Sequence, residues 1–170
     1  DKPLIHQFGI YLSKIAKGDL GPSYKYKDFT VNELILSGFP ISLTLGVSAI
    51  IISLFLGSLL GIIAAIKRNT IFDYTVMGVS IIGICVPSFV LAPILSLFFG
   101  LYLGLLPISG WNGGNIYNLI LPIASLSLPQ IAIISRMMRS STIETLNSNF
   151  IRTARAKGMP KRRIITKHVI

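Results

Sequence analysis

Three long stretches without charge alternate with short polar breaks along the chain. Phe39 to Ile66, Tyr74 to Leu105 and Ile116 to Ser135 contain no Asp, Glu, Lys, Arg or His. A hydrocarbon core about 30 Å thick takes roughly 20 helical residues, so the pattern predicts three membrane spans, 39–66, 74–105 and 116–135. Each Ile, Leu, Val or Phe at the centre of such a span favours insertion by about 0.3–0.6 kcal/mol, and no charged residue opposes them. The second stretch exceeds one straight span, and Pro87 and Pro93 delete backbone donors within it, which predicts one tilted, broken helix rather than two. Pro122 and Pro129 interrupt the third in the same way. The expected fold is all-α, a polytopic membrane helix bundle.

Within the first span Ala49, Ser53, Gly57, Gly61 and Ala65 recur at every fourth position and share one stripe of the helix. Small residues let another backbone approach closely, which is how helices gain packing contact in lipid. The stripe therefore predicts tight packing, either within the subunit or at a subunit interface, and Gly100 and Gly104 repeat the spacing. Residues 1–38 form a separate region. They hold turn signals at Gly18-Asp19 and Gly21-Pro22, then an amphipathic piece, Val31, Leu34 and Ile35, expected to stop at Gly38 and Pro40 and to lie along the membrane surface.

Charge orients these elements. The net charge is +10, and nine of the 16 Lys and Arg fall between Arg136 and Lys167, against the single acid Glu144. Lys and Arg near a span resist translocation, so residues 136–170 are expected inside the cell. By alternation, 106–115 lies outside, Lys67 and Arg68 inside, and 1–38 outside, which calls for a further helix upstream. Trp111 and Tyr117 flank the third span where aromatic side chains meet headgroups, and Arg136 and Arg139 are expected to snorkel at the inner interface. The chain opens at Asp1 without Met and closes at Ile170 within the apolar pattern Ile164, Ile165, Val169, so more chain is expected on both sides.

In the basic segment, Ser141-Thr142-Ile143-Glu144 has capping-box spacing and predicts a helix start. Asn147-Ser148-Asn149 offers caps for a short helix over Phe150–Lys157, with Gly158 and Pro160 as its stop. On that helix Phe150, Ala154 and Lys157 share one side while Arg152 and Arg155 project elsewhere, a surface suited to a groove on another protein or to anionic lipid.

Composition excludes several classes. With 52% hydrophobic and 13% charged residues the chain is too apolar for a soluble domain. Cys85 is the single cysteine, so no internal disulfide forms, and it reads as a packed small residue. His6 and His168 sit at opposite ends, and no metal cluster, nucleophile with a base, or phosphate-cradling G-x-x-x-x-G-K-[ST] loop occurs. The chain is therefore expected not to be an enzyme and to hold no cofactor. No ionisable residue lies inside a predicted span, which argues against ion-coupled transport. Nucleic-acid binding by the basic tail is disfavoured by the spans and by the lack of stacking aromatics near Arg162.

The segment FIRTARAKGMPKRRIITKH resembles the cytoplasmic signature of permease subunits of binding-protein-dependent ABC importers, the EAA loop, whose E-A-A-x-x-x-G pattern forms a coupling helix for an ATPase. Arg152, Thr153, Ala154 and Gly158 occupy those positions, and the departures at Arg152 and Thr153 are similar to the dipeptide and oligopeptide branch. GDLGPSYKYKDFTVNELI, IAAIKRNTIFDYTVMG, VPSFVLAP and LPISGWNGGN extend the likeness to the B-type subunits of oligopeptide permeases over most of the chain. The resemblance implies a type I ABC importer permease fold and half of a translocation path for peptides in the bacterial inner membrane. It implies a second permease subunit, two cytoplasmic ATP-binding subunits that carry ATP and Mg, and a periplasmic peptide-binding protein as partners. Phe150, Arg152, Thr153, Ala154, Lys157 and Gly158 would form the ATPase-coupling element, with 1–38 and 106–115 periplasmic and 136–170 an incomplete cytoplasmic coupling loop. A permease for dipeptides, nickel or another small solute is the nearest alternative, and an ATPase-independent channel or carrier the next.

Overall fold

The computed structural model describes residues 3–160 and 163–165. Residues 161–162 and 166–170, which include part of the basic tail with His168, Val169 and Ile170, lie outside the described residues. The described chain is helical, as expected: α1 (Leu4–Ala16), α2 (Val31–Ile66), α3 (Ile71–Cys85), α4 (Ser88–Leu95), α5 (Ile116–Asn147) and α6 (Asn149–Ala156). A π-helical segment, Ser96–Tyr102, continues α4, and a 3₁₀ turn at Asn112–Gly114 precedes α5. Among the described residues the only β pairing is an isolated bridge between Pro22 and Thr30. Two compact units divide the chain, Asp1–Thr44 and Leu45–Ile170.

The first unit holds a helix that the turn signals alone did not reveal. Leu4, Ile5, Phe8, Leu12 and Ile15 recur at helical spacing in α1. The helix closes with Gly18 in the left-handed region at φ 79°, its N–H donating to the Ile15 carbonyl at 2.8 Å while Asp19 N–H donates to Lys14 at 2.9 Å. That pair of bonds is a Schellman cap. In the following loop, Leu20 N–H donates to Asn32 Oδ1 at 2.9 Å, and Asn32 Nδ2 donates back to the Gly18 carbonyl. The capping box sits at the start of α2, where Thr30 N–H donates to Glu33 Oε2 at 2.8 Å and Glu33 N–H to Thr30 Oγ1 at 3.3 Å.

The structure corrects the stop expected at Gly38 and Pro40, since α2 runs through both. An interior proline costs about 3 kcal/mol through one lost bond and a ring clash. Breaking the helix inside an apolar stretch would strand several backbone groups instead, each costly without water. The missing N–H would have bonded the Leu36 carbonyl one turn earlier, while the carbonyl of Pro40 itself accepts from the Thr44 hydroxyl at 2.8 Å.

In the second unit α5 is the common partner. Its 32 residues continue through Pro122 and Pro129 without interruption. It also passes the predicted boundary at Ser135 and the capping-box spacing at Ser141–Glu144, ending at Asn147. No turn precedes Ser141, so its backbone N–H groups already pair within the helix and its side chain has no start to cap. The second predicted span is bent more sharply than a kinked rod. Helix α3 ends at Cys85, Val86 and Pro87 are extended, and α4 leaves at 103° to α3. Pro87 opens α4 as its N-cap, whereas Pro93 lies inside it. Helices α2 and α5 are each long and apolar enough to cross a membrane, and α3 with α4 reaches that measure only as a bent pair. Cys85, expected to be packed, is exposed at the end of α3.

Candidate functional site at the foot of helix α5

The small-residue ladder of α2 faces α5 of the same chain. Ala49, Ser53, Gly57, Gly61 and Ala65 are all buried, together with Ala64. Ser53 Oγ donates to the Ala49 carbonyl at 2.6 Å and lies 3.2 Å from the Ser127 carbonyl on α5. A Cβ added at Gly57 would sit 2.8 Å from Ile134 Cβ, and one at Gly61 would strike the Ser135 carbonyl oxygen and lie 3.0 Å from the Arg139 nitrogen. Helix α3 meets the next face of α5. Gly83 opposes Ala132, where an added Cβ would fall 3.1 Å from the alanine Cβ, and the hydroxyls of Ser80 and Ser135 share a 2.9 Å hydrogen bond. Of the other repeated pair, Gly100 lies against Ile108, whereas Gly104 adopts φ 61° and has open space beside it.

One turn beyond Ser135 these contacts end in an ion pair that the hydropathy pattern did not reveal. Asp73, in the first turn of α3, is 0% exposed. Arg139 Nε donates to its Oδ1 at 2.5 Å and Arg139 Nη2 to its Oδ2 at 2.7 Å, a bidentate fork. Asn69, at φ 63° in the turn between α2 and α3, donates its backbone N–H to Oδ2 at 3.0 Å. Arg139 is therefore tied to α3 rather than extended alone to the interface. A signal was available: Asp73 is the only acid between Glu33 and Glu144, and a lone acid at the end of an apolar helix requires a cation.

Past this junction α5 continues to Asn147, and Ser148 alone separates it from α6. Helix α6 starts one residue before the predicted Phe150 and ends at Ala156. Gly158, at φ 76°, closes it: Gly158 N–H donates to Arg155 at 2.9 Å and Met159 N–H to Ala154 at 3.1 Å. This is a second Schellman cap. Its usual apolar contact is present, since Met159 packs on a small core of Ile151, Ala154 and Ile164. The predicted face is thus split. Ala154 turns inward at 9% exposed and Phe150 outward at 54%, with Arg152, Thr153, Lys157 and Gly158 exposed. The helix presents cations and one aromatic ring at an orientation fixed by its own packing.

Long apolar helices, close-packed through small residues and followed by a short basic helix, define an integral membrane protein with a built element on its polar side. The chain belongs to the family described as binding-protein-dependent transport system inner membrane components, whose model matches residues 57–170. It is similar to the oligopeptide transport system permease protein OppB of Escherichia coli strain K12, with 52% identity over 168 residues, covering 99% of this chain and 55% of that protein. The OppB protein of Haemophilus influenzae is 51% identical over 170 residues, 100% of this chain and 56% of the relative. The dipeptide transport system permease protein DppB of Bacillus subtilis is 42% identical over 170 residues, 100% of this chain and 54% of the relative. The chain spans about half the length of the curated relatives it matches.

Proposed function

We propose that the chain is the membrane-embedded part of a peptide permease that works by alternating access, with α6 as the element that receives motion from an ATPase. The reading assigns it a second permease subunit, two cytoplasmic ATP-binding subunits that carry ATP and Mg, and a periplasmic peptide-binding protein. In the bacterial inner membrane, 136–170 would face the cytoplasm and 1–38 and 106–115 the periplasm. Peptides longer than dipeptides are favoured because identity to the oligopeptide relatives, 52%, exceeds that to the dipeptide relative, 42%.

The observation that carries the reading is the build of α6. A solvated basic loop held to lipid needs no core of its own. Here a helix of 8 residues is capped at Gly158, packed through Ile151 and Ala154, and joined to α5 by one residue. Binding elements ordered beforehand lose less freedom on docking. An exposed aromatic ring among cations is the composition of an interface anchor. The test uses the full-length permease with its partner subunits in lipid vesicles. Phe150→Asp is expected to lower ATPase co-purification and ATP-driven peptide uptake together, by about tenfold or more. Peptide uptake that proceeds at the unaltered rate without any ATP-hydrolysing subunit would reject the importer reading.

A further inference from the structure

The Asp73–Arg139 pair does more than neutralise a buried acid. We propose that it is the positioning pair through which displacement of α6 reaches α3 and α2, an inference that rests on the importer reading above. Both carboxylate oxygens of Asp73 are taken, Oδ1 by Arg139 Nε at 2.5 Å, and Oδ2 by Arg139 Nη2 at 2.7 Å and the Asn69 N–H at 3.0 Å. A planar guanidinium bound by two parallel bonds resists rotation as well as separation, which a single-point contact does not. The pair therefore fixes the azimuth of α5 against α3. At the same turn a Cβ on Gly61 of α2 would fall on the Ser135 carbonyl, Met138 Cβ and the Arg139 backbone nitrogen, so the two helices approach there with little side chain between them to absorb a shift.

Two helices thus meet α5 at one level, α2 through Gly61 and α3 through Asp73, on Ser135 and Arg139, and the turn between them is tied in through the Asn69 N–H on Asp73. Higher on α5 the contacts carry no charge: Ser53 with the Ser127 carbonyl, Gly57 beside Ile134 and Gly83 beside Ala132. Below the level α5 is uninterrupted to Asn147. That leaves about 12 Å of helix between the fork and α6, at 1.5 Å per residue. A push on α6 is carried along this lever and meets α2 and α3 together at the fork.

The experiment measures peptide taken up per ATP hydrolysed, with the amount of assembled complex, for the full-length permease and its partner subunits in lipid vesicles. Arg139→Lys keeps the charge and removes the fork. It is expected to leave assembly and hydrolysis near their unaltered levels while uptake per ATP falls about fivefold or more, the range of an ordinary coupling energy. Asp73→Asn combined with Arg139→Gln leaves no unpaired charge, and the same loss of ratio is expected. If both variants keep the unaltered uptake per ATP, or if uptake falls only in proportion to assembled complex, the pair is a structural tie and the proposal fails. If the unaltered complex takes up no peptide on ATP, the importer reading itself fails, which the unaltered control shows separately.

Discussion

Gly61→Ala tests the packing of α2 on α5 most directly. The added Cβ would lie 2.7 Å from Met138 Cβ and 3.0 Å from the Arg139 nitrogen, and closer still to the Ser135 carbonyl oxygen. Carbon atoms rest about 3.5–4.0 Å apart, so the two helices must separate by roughly 1 Å at that turn. Overpacking of this kind costs about 1–3 kcal/mol, against about 1 kcal/mol gained because alanine forms helix better than glycine. Two of the three obstructing atoms are backbone and cannot rotate away, which places the net loss at about 1–2 kcal/mol. A Cβ added at Gly46 or Gly78 would meet no other part of the chain within 4 Å, so the same substitution there leaves only the gain. The assay is reversible unfolding of the full-length protein in detergent, followed by circular dichroism. The expected order of stability is Gly46→Ala and Gly78→Ala above the unaltered protein, and Gly61→Ala below it. A Gly61→Ala variant as stable as Gly46→Ala would refute the close approach of the two backbones.

A double-mutant cycle of Ser80→Ala and Ser135→Ala, measured in the same way, is expected to give a coupling near 0.6 kcal/mol, the average for interhelical hydrogen bonds in a membrane protein. A coupling of zero would remove the 2.9 Å hydroxyl pair from the structure's account. For orientation, a cysteine replacing Ser109 should react with an impermeant thiol reagent applied outside, and one replacing Ser148 only after the membrane is opened, in a Cys85→Ser background. The reverse pattern would overturn the assignment of sides.

The parts of the fold that were legible from sequence share a physical cause. The small-residue stripe could be read because Ala49, Ser53, Gly57, Gly61 and Ala65 carry their meaning in size and spacing alone. The stop of α6 could be read because Gly158, with Pro160 two residues on, leaves the chain few alternatives to a left-handed turn. Motifs whose meaning depends on context misled. The four-residue capping spacing occurs at both Thr30–Glu33 and Ser141–Glu144, yet only the first follows a turn, and only there are backbone donors free to be capped. Pro40 failed as a stop for a related reason, since an apolar helix loses less by carrying one proline than by fraying. Ala154 was placed on the docking face by helical periodicity, but Ile164, beyond the turn that closes α6 at Gly158, packs on it. The Asp73–Arg139 fork lay hidden because its two halves sit at the ends of different apolar runs, and hydropathy averages treat such ends as the edge of the membrane.

The sharp corner before α4 carries a demand of its own. The first turn of any helix presents amide protons with no carbonyl below them; in α4 the Val90 and Leu91 N–H groups reach the Pro87 carbonyl at 3.0 and 3.1 Å, which leaves those of Ser88 and Phe89, and Pro87 supplies no side chain to receive them. Oil offers such protons nothing, at a cost of several kcal/mol for each. Where the chain swings through 103°, something wet or proteinaceous has to stand, so this elbow belongs beside water or against a neighbouring backbone and not among acyl chains.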